Sequence, residues 1–432
     1  MFISLKKLLR KKKKKEVHKA QPETPKVIRT DPAQANSQPA QTEDFVEVHQ
    51  LIWPFNLPPE NRNVPTVTVS RKDLRNPCAI FLGCSGAGKT IFAMSEIYNA
   101  LIEDPDCQVI IIDNYASVDK LKRWRSNYDA LASYAGGTFI STAPDSDDRI
   151  DPFPEISEGY TVEMVETLVC GWYESAIGGK RRITTKEKAV IYRCLMDLYS
   201  THSRFTAKDF FSSLGNRSET EAKSIAAVLS DVFNTSLPVF AGPGKTQDIS
   251  GRVLIYGVKN DYLNEYKNNK DGNGALAMLC CISDAWSRVV ANSRKGIRTW
   301  LYLDDVEFLA ALPSATEYID MLFRKAADHN CVPTMILHGV DNRCLSDDML
   351  YRYGTSGLML IMNSTPMSIH RLNEILPLTP AYKSFLWCYR NFGCGEGVVI
   401  IGGKPYCFQY YWRNVPFRRN PEDKYEVISP DR

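Results

Sequence analysis

Long apolar runs are absent from this 432-residue sequence, and so are cysteine pairs of the CxxC type. No stretch reaches the roughly 18 apolar residues of a membrane-spanning helix, so the sequence predicts none. The short apolar stretch at the start precedes its charges, which is the wrong order for a secretory signal. The 12 cysteines are scattered, which argues against a disulfide framework or a zinc site. These absences predict a cytoplasmic protein with reduced thiols.

Positive charge is concentrated at the N-terminus. Residues 1–15 hold eight Lys and Arg and no acid, so the net charge of +3 for the whole chain leaves −5 on the remainder. Phe2, Leu5 and Leu9 share one helical face. Two interpretations of this basic head remain open: a helix lying on an anionic membrane surface, or a solvated tail. A segment rich in Pro, Gln, Thr and Ala follows, and it predicts a disordered linker within residues 1–55.

Apolar runs separated by helical stretches dominate the chain after about residue 60. This alternation predicts an α/β fold with a mainly parallel sheet that is covered on both faces. We expect the core in two parts, residues 56–154 and 249–412, followed by a C-terminal tail over 413–432. The predicted buried strands span residues 78–83, 107–113, 136–142, 252–258, 299–304, 332–338 and 357–362.

Residues 155–248 interrupt this alternation and predict an all-helical insertion between two strands. The sequence TTKE at Thr184–Glu187 has the spacing of a capping box, in which the first and last side chains cap each other's backbone N–H groups. SETE at Ser218–Glu221 has a similar spacing and predicts a second box. Each is followed by apolar residues at helical spacing, so we expect amphipathic helices behind both.

The sequence GCSGAGKT at 83–90 matches G-x-x-x-x-G-K-[ST] in full, between a predicted strand and a predicted helix. Its glycines let backbone N–H groups converge on phosphates at a helix N-terminus. We expect Lys89 to reach the β and γ phosphates of ATP and Thr90 to hold Mg²⁺. GPGKT at Gly242–Thr246 lacks the flanking strand and helix and predicts only a loop. The nucleotide-binding residues predicted are Gly83, Cys84, Ser85, Gly86, Ala87, Gly88, Lys89 and Thr90.

Two aspartates end the predicted strand TWLYLDD. Open α/β sheets bind ligands at the carboxyl ends of their strands, so Asp304 is the predicted carboxylate of the Mg²⁺ shell. Asp305 is the candidate base that orients the attacking water. Glu307 could take that role only if the strand has already ended. An aspartate followed by a glutamate is usual here in P-loop ATPases, so the shorter Asp305 leaves open whether ATP is hydrolysed or only bound.

From about residue 60 to 410 the chain resembles the conjugation ATPases of type IV secretion systems, in the FtsK–HerA group of P-loop motors. The branch it resembles is carried by mobile elements of Gram-positive bacteria. The order and spacing of several blocks carry the resemblance: VSRKDLRNPCAIFLGCSGAGKTIFAMSEI, VIIIDNYASVDKLKRW, AGGTFISTAPDSDDRIDPF, TTKEKAVIYRCLMDLY, TWLYLDDVEFLAAL, VPTMILHGVDNRCL, GLMLIMNSTPMSIHRLNEILPL and GEGVVIIGG.

This resemblance implies a RecA-like P-loop NTPase core with an all-helical insertion. It also implies ATP and Mg²⁺ as cofactors, a homo-oligomeric ring that is usually a hexamer, and other subunits of a secretion apparatus as partners. ATP would lie between subunits, with a basic finger reaching from the neighbour. Such a motor powers pilus assembly or substrate transfer at the inner face of the cell membrane.

The sequence departs from the family at residues that carry catalysis. Asp305 stands where the family has Glu, and His338 stands where it has a sensor Gln. Lys325 and Ala327 occupy the positions of its arginines, with Arg324 as a neighbour that could serve. The predicted catalytic set is therefore Lys89, Asp305, His338, Arg324 and Lys325.

Two other departures concern the residues that follow Asp113 and the N-terminal part of the chain. Asn114, Tyr115 and Ser117 replace the family's Pro and acidic residues after Asp113. The family's large N-terminal domain has no counterpart beyond the basic head and linker, and the sequence leaves open whether a separate chain supplies it.

Three functions remain open on these residues. The first is an ATP-hydrolysing motor subunit of a conjugative type IV secretion system. The second is a degenerate ATP-binding assembly subunit with little hydrolysis. The third is a DNA translocase of the same superfamily, which the mildly acidic body disfavours. The aromatic cluster at 406–412 suggests base stacking, but an apolar strand is the favoured interpretation, so direct nucleic-acid binding stays uncertain.

Overall fold

A computed structural model of the chain describes residues 48–52, 66–68, 70–114, 117–118, 124–143, 146, 148–240, 251–258, 273–340, 345–389, 395–409, 417–419 and 425–427. The basic head, the linker segment before residue 45 and the loop Gly242–Thr246 lie outside these residues.

Most described strands belong to a single eleven-stranded sheet, with two small two-stranded sheets beside it. The strands, in chain order, are β1 Val48–Ile52, β2 Thr66–Thr68, β3 Ala79–Leu82, β4 Gln108–Asp113, β5 Ser117–Val118, β6 Trp124–Arg125, β7 Thr138–Ser141, β8 Val253–Gly257, β9 Thr299–Asp304, β10 Cys331–Leu337, β11 Leu358–Met362, β12 Glu396–Ile401, β13 Lys404–Gln409, β14 Phe417–Arg419 and β15 Tyr425–Val427.

The order across the large sheet is β2-β1-β13-β12-β11-β3-β10-β9-β4-β8-β7. All seven predicted strands are present and run parallel to one another, which confirms the mainly parallel sheet. Among the described strands of this large sheet, only β12 runs antiparallel to its neighbours, β11 and β13. Strand β10 therefore lies between β3, which leads into the glycine-rich loop, and β9, which ends in Asp304.

Strand β1 lies inside the range 1–55 that was predicted as a basic head and disordered linker. It pairs in parallel with β13 and β2, so that boundary falls too late in the chain for Val48–Ile52. Beyond residue 412, β14 and β15 pair as antiparallel strands within the predicted tail.

Eleven α-helices occur in the described ranges, several of them covering the sheet. They are α1 Lys89–Glu103, α2 Asp129–Ala135, α3 Val162–Ala176, α4 Thr185–Thr201, α5 Ala207–Gly215, α6 Thr220–Thr235, α7 Asn273–Arg294, α8 Pro313–Lys325, α9 Asp347–Ser356, α10 Pro366–Ile375 and α11 Pro380–Tyr389. Short 3-10 helices include Val306–Ala311 and Ala327–His329.

Both faces of the sheet are buried, as the continuous apolar strands predict. In β4, Val109 and Ile111 belong to the apolar cluster that includes α1 and α2, whereas Ile110 and Ile112 belong to the cluster on the other face. This alternation follows from the two-residue period of a strand. The second cluster also includes buried residues of α3 to α8, so the helices between β7 and β8 share a core with the sheet.

The two predicted capping boxes have different outcomes. Thr184 Oγ1 accepts from the Glu187 N–H at 3.3 Å while Glu187 Oε2 accepts from the Thr184 N–H at 2.8 Å, which confirms the first box. The second is wrong: helix α6 begins at Thr220, and its N-cap Glu219 makes no side-chain cap. The Ser218 hydroxyl bonds instead to the Glu219 carboxylate at 3.4 Å. Spacing alone therefore does not fix which residue begins a helix.

In the described part of the chain, one helical segment, Gly274–Arg294, has the length and apolar composition needed to cross a membrane. Of its most apolar stretch, 78% is buried inside the fold. Its apolar composition is therefore accounted for by core packing.

Candidate nucleotide-binding site

The loop between β3 and α1 has the backbone geometry of a phosphate cradle. Gly86 and Gly88 adopt left-handed conformations, with φ of 78° and 107°, which residues with a side chain rarely adopt. A Cβ on Gly83 would lie 3.0 Å from the Cβ atoms of both Ala87 and Met362. The glycines are therefore required for turn geometry at two positions and for close packing at the third.

Backbone hydrogen bonds attach this loop to three neighbouring strands. The Gly83 N–H donates to the Leu337 carbonyl at the end of β10, at 3.2 Å. The Cys84 N–H donates to the carbonyl of Asn363, just after β11, at 2.5 Å. The Gly395 N–H, just before β12, donates to the Ala87 carbonyl at 3.0 Å. These hydrogen bonds to the ends of the strands fix the shape of the loop within the fold itself.

Lys89 is 6% exposed and reaches back across the loop. Its ammonium lies 2.6 Å from the Gly83 carbonyl and 3.2 Å from the Cys84 carbonyl. Burial lowers the pKa of Lys89, and the carboxylates of Asp304, Glu307 and Asp305 oppose that shift. A buried cation beside a glycine-rich loop and a helix N-terminus suits an anionic ligand such as a phosphate.

His338 bridges the loop and the acidic strand end. Its Nδ1 lies 3.1 Å from Lys89 Nζ, and its Nε2 lies 2.9 Å from Asp305 Oδ1. Since an ammonium only donates, Nδ1 accepts and the Nε2–H donates to the carboxylate. This tautomer follows from the hydrogen-bond geometry. The ring therefore connects the predicted phosphate-binding lysine to the predicted water-orienting carboxylate.

Asp304 is buried at the carboxyl end of β9, and the Tyr128 hydroxyl donates to its Oδ2 at 2.7 Å. Asp113 ends β4 and is the register partner of Asp304 across the parallel pair. Burial, followed by the charge of Asp113, raises the pKa of Asp304 to about 7. The Ser126 hydroxyl donates to Asp113 in turn. Two buried carboxylates thus lie side by side, each with a hydroxyl donor.

Strand β9 ends at Asp304. Asp305 adopts a left-handed conformation with φ of 63°, and its N–H donates to the Ile336 carbonyl at 3.0 Å. A non-glycine residue at positive φ is uncommon, and such residues cluster at functional sites. The Asn114 amide also donates to the Asp305 carbonyl, at 3.3 Å. The neighbouring strands therefore fix the turn that carries this carboxylate.

Glu307 fulfils the condition set by the sequence, because the strand has ended before it. It lies in the first turn of the 3-10 helix Val306–Ala311, and its carboxylate accepts from the His338 backbone N–H. Burial, followed by the neighbouring Asp305, raises the pKa of Glu307 to about 9. Glu307 thus joins the same cluster as a second carboxyl group.

Most predicted site residues meet at one edge of the sheet: the loop 83–90, Asp304, Asp305 and His338. Arg324 and Lys325 lie elsewhere, at the end of α8. The adjacent Phe323 carbonyl accepts from Cys78 Sγ, just before β3, so these residues lie at the opposite edge. The seven residues of β10 separate the edges by about 20 Å.

The side chains at that opposite edge have local partners. Arg324 Nε donates to Asp320 at 2.8 Å, and Lys325 Nζ donates to the Glu158 carbonyl at 3.1 Å. Both residues are too far from the loop of their own chain to contact a ligand there.

The sequence analysis assigned no site role to several residues that line this site. Asp113 ends a buried strand just as Asp304 does, and that signal could have found it. Tyr128, Ser126 and Asn114 follow β4 in irregular or turn-like segments. Nothing in their spacing points to the carboxylates that Tyr128 and Ser126 contact, or to the Asp305 carbonyl that Asn114 contacts. In the aromatic cluster, residues 406–409 belong to β13, where Cys407 and Phe408 are buried. That burial favours the strand interpretation for those residues.

The donors at this edge fit a magnesium ion held mainly by its ligand and water. Hydroxyl and carboxylate oxygens, here from Thr90 and Asp304, are the donors that magnesium prefers. Across the described ranges no group of three or more His, Cys, Asp or Glu could hold a metal. Magnesium commonly binds through one or two carboxylates plus phosphates and waters, so this sparse donor set fits it.

The chain thus has the fold of the P-loop NTPases, with a RecA-like core. The fold is similar to that of VirB4 of Thermoanaerobacter pseudethanolicus, with a TM-score of 0.62 and 16% identity over 81% of this chain and 94% of that chain. Two further similarities are to plasmid coupling protein TrwB in complex with ADP and Mg²⁺ (TM-score 0.47, 13% identity, 82% and 89% covered) and to TrwBdeltaN70 in complex with sulphate (0.45, 13%, 79% and 86%). Those two scores are too low to establish a shared fold.

No protein-family model matches the chain, and no curated protein matches it significantly.

Proposed function

We propose that this protein binds ATP with Mg²⁺ between the loop 83–90 and Asp304, and hydrolyses it as a subunit of a conjugative type IV secretion apparatus. The observation that carries the proposal is the meeting of Lys89, His338 and Asp305 at the carboxyl edge of the sheet. A phosphate cradle, a buried cation and a carboxylate that can orient water are the parts that phosphoryl transfer requires.

Each residue has a distinct role in the proposed reaction. Lys89 and the loop N–H groups bind the β and γ phosphates, and Thr90 and Asp304 hold the magnesium shell. Magnesium, when bound, supplies positive charge against the phosphate oxygens. Asp305 orients the water that attacks the γ-phosphorus in line with the bond to ADP. His338 lies between the lysine and that carboxylate, where it can respond to the γ-phosphate.

Assembly and location are also part of this proposal. The similarity to VirB4 spans 94% of that chain, and the sequence blocks resemble conjugation ATPases, which together support a secretion role. We propose a homo-oligomeric ring in which Arg324 or Lys325 reaches the nucleotide of a neighbouring subunit, since neither can reach its own. Other secretion subunits at the cytoplasmic face of the membrane are the proposed partners, with residues 1–15 as a candidate contact to anionic lipid.

The test compares wild-type full chain with Lys89→Ala in Mg·ATP binding and phosphate release. We expect Mg-dependent turnover in wild type and none in the variant. Lys72→Ala is a matched control, because Lys72 pairs with Glu103 at 3.0 Å near the far end of α1. Folded wild type that takes up no Mg·ATP would refute the proposal.

One observation favours a second candidate, an ATP-binding assembly subunit with little hydrolysis. The Asp305 carboxylate is one methylene shorter than the usual Glu and is engaged by the His338 ring at 2.9 Å. A misplacement of about 1 Å can reduce turnover roughly 100-fold. Asp305→Glu separates the candidates: a sharp rise in hydrolysis with unchanged ATP binding supports the assembly subunit, and a fall in an existing activity supports the motor.

A further inference from the structure

A turn at Ser126–Asp129 lies over the two carboxylates that end β4 and β9. The Ser126 hydroxyl donates to Asp113, and it accepts from the Tyr128 backbone N–H at 3.0 Å. Asp129 accepts from the Ser126 N–H at 3.0 Å, which closes the turn. The Tyr128 hydroxyl then donates to Asp304 at 2.7 Å. A chain of hydrogen bonds thus runs from one carboxylate, through the turn, to the other.

We propose that Tyr128 is a positioning residue, which holds the Asp304 carboxylate in the orientation that a divalent cation in the nucleotide site requires. The inference rests on the proposed function, because it concerns the cation that accompanies the nucleotide. Tyr128 itself contacts neither nucleotide nor cation; it acts through Asp304.

The burial of the Tyr128 hydroxyl indicates that its hydrogen bond to Asp304 matters. Tyr128 is fully buried and its ring belongs to the apolar cluster beside α1, a position that phenylalanine would fill equally well. Burying a hydroxyl costs free energy unless it is hydrogen-bonded, and among the described residues its only acceptor is Asp304. The hydroxyl is therefore used for that carboxylate.

The contact also leaves one carboxylate oxygen available. Oδ2 of Asp304 accepts from Tyr128, whereas Oδ1 has no hydrogen-bond partner in the described part of the chain. A carboxylate anchored through one oxygen presents the other in a fixed direction. Hydrogen bonds to the ligands of a metal site commonly set ligand orientation, and removing them typically costs 10- to 100-fold in metal affinity or activity.

The turn itself is held on both sides. Ser126 links it to Asp113 at the end of β4, and the Tyr128 carbonyl accepts from the N–H groups of Leu131 and Ala132 in α2, at 3.0 and 3.2 Å. The Tyr128 hydroxyl is thus positioned by the sheet edge and by α2 together. This is the arrangement that a rigid supporting shell requires.

Tyr128→Phe in the full chain is the decisive variant, because it removes only the hydroxyl. The readout is the ratio of ADP affinities with Mg²⁺ and with EDTA, measured by equilibrium binding, together with Mn²⁺ binding to the ADP complex by electron paramagnetic resonance. We expect metal-free ADP affinity to stay within about twofold of wild type, and the metal-dependent gain and the Mn²⁺ affinity to fall roughly 10-fold.

Tyr353→Phe is the matched control. Tyr353 is equally buried, and its hydroxyl donates to the Asp320 carboxylate at 3.2 Å, at the opposite edge of the sheet. We expect this variant to change neither readout. Tyr128→Phe with a wild-type metal-dependent gain would overturn the inference, and so would an equal loss in the control. Wild type without any nucleotide binding would instead refute the proposed function.

If Tyr128→Phe does not fold, Ser126→Ala decides the question. Ser126 is half-buried, and its hydroxyl holds the Tyr128 N–H, so its loss loosens the same turn without altering the aromatic core. A loss of the metal-dependent gain in ADP affinity, smaller than the roughly 10-fold loss expected for Tyr128→Phe, supports the inference. An unchanged gain in folded Ser126→Ala overturns it.

Discussion

The ring of His338 lies against the carboxylate of Asp305, with Nε2 2.9 Å from Oδ1. The Lys89 ammonium donates to the other ring nitrogen, Nδ1, with Nζ 3.1 Å away. A phosphate that draws Lys89 towards itself would remove the donor at Nδ1 and so change the hydrogen bonding of the ring that also contacts Asp305. We therefore expect nucleotide binding at Lys89 to affect the Asp305 carboxylate through the His338 ring.

His338→Ala removes this connection. We expect kcat for ATP hydrolysis to fall roughly 100-fold, because the carboxylate loses its hydrogen bond from the ring, while the KM for ATP changes little. Steady-state phosphate release over a range of ATP concentrations measures both quantities. His338→Gln should retain more activity, since a side-chain amide can accept from Lys89 and donate to Asp305. Equal losses of kcat in the two variants would contradict the bridging role.

Gly83→Ala tests the packing of the loop. The new Cβ would lie 3.0 Å from two carbon atoms and 3.2 Å from the Asn363 carbonyl, so the loop must shift by a few tenths of an ångström. We expect weaker Mg·ATP binding with a thermal midpoint close to that of wild type. Gly215→Ala is the control, because only Ala226 Cβ lies near, at 3.9 Å. Unchanged nucleotide affinity in Gly83→Ala would show that the loop tolerates the shift.

A buried ion pair joins the helix behind the loop to the sheet. Arg71 Nη1 donates to Glu96 Oε2 at 2.8 Å and to Thr334 Oγ1 at 2.7 Å, and Tyr302 donates to the same glutamate oxygen at 2.7 Å. Glu96→Leu alone leaves a buried, uncompensated guanidinium, so we expect a loss of about 3–5 kcal/mol in the free energy of unfolding. Urea denaturation measures this loss.

The double variant Arg71→Met with Glu96→Leu is the internal control for that measurement. It removes both charges, so we expect it to be more stable than Glu96→Leu alone. If the double variant loses as much as the two single variants combined, the pair does not act as a unit.

Acid should weaken the start of α4. A hydrogen bond from Arg181, together with the capping bonds of Thr184, lowers the pKa of Glu187 from 4.5 to about 2 against an opposing effect of burial. A carboxyl whose pKa is depressed in the folded state stabilises the fold above its unfolded pKa. That contribution is lost as pH falls from about 4.5 towards 2.

Glu187→Gln checks this sign. We expect the variant to have a lower thermal midpoint than wild type at neutral pH, and the gap to narrow by pH 3. Glu317→Gln, on an exposed position of α8, should leave the pH dependence of the midpoint as in wild type. A constant gap between wild type and Glu187→Gln at every pH would contradict the linkage.

Much of the fold could be predicted because strands buried on both faces read as continuous apolar runs. Strand β4, VIIID after Gln108, is of this kind, and so is β10. Strand β1, VHQLI, could not be predicted in the same way. It is short, mixed in polarity and next to a polar segment, and it pairs with β13, which lies more than 350 residues away in the chain. Long-range pairing, and not local composition, makes it a strand.

The sequence by itself determined the chemistry available: a glycine-rich loop ending in Lys89 and Thr90, and a buried strand ending in two carboxylates. Those features are local, because turn conformations and burial patterns depend on neighbouring residues. Only the tertiary structure decided which groups meet. His338 joins Lys89 to Asp305, and Tyr128 meets Asp304, because parallel strands distant in sequence end at one edge of the sheet. Arg324, at the end of α8 and at the opposite edge of the sheet, cannot join them within the same chain.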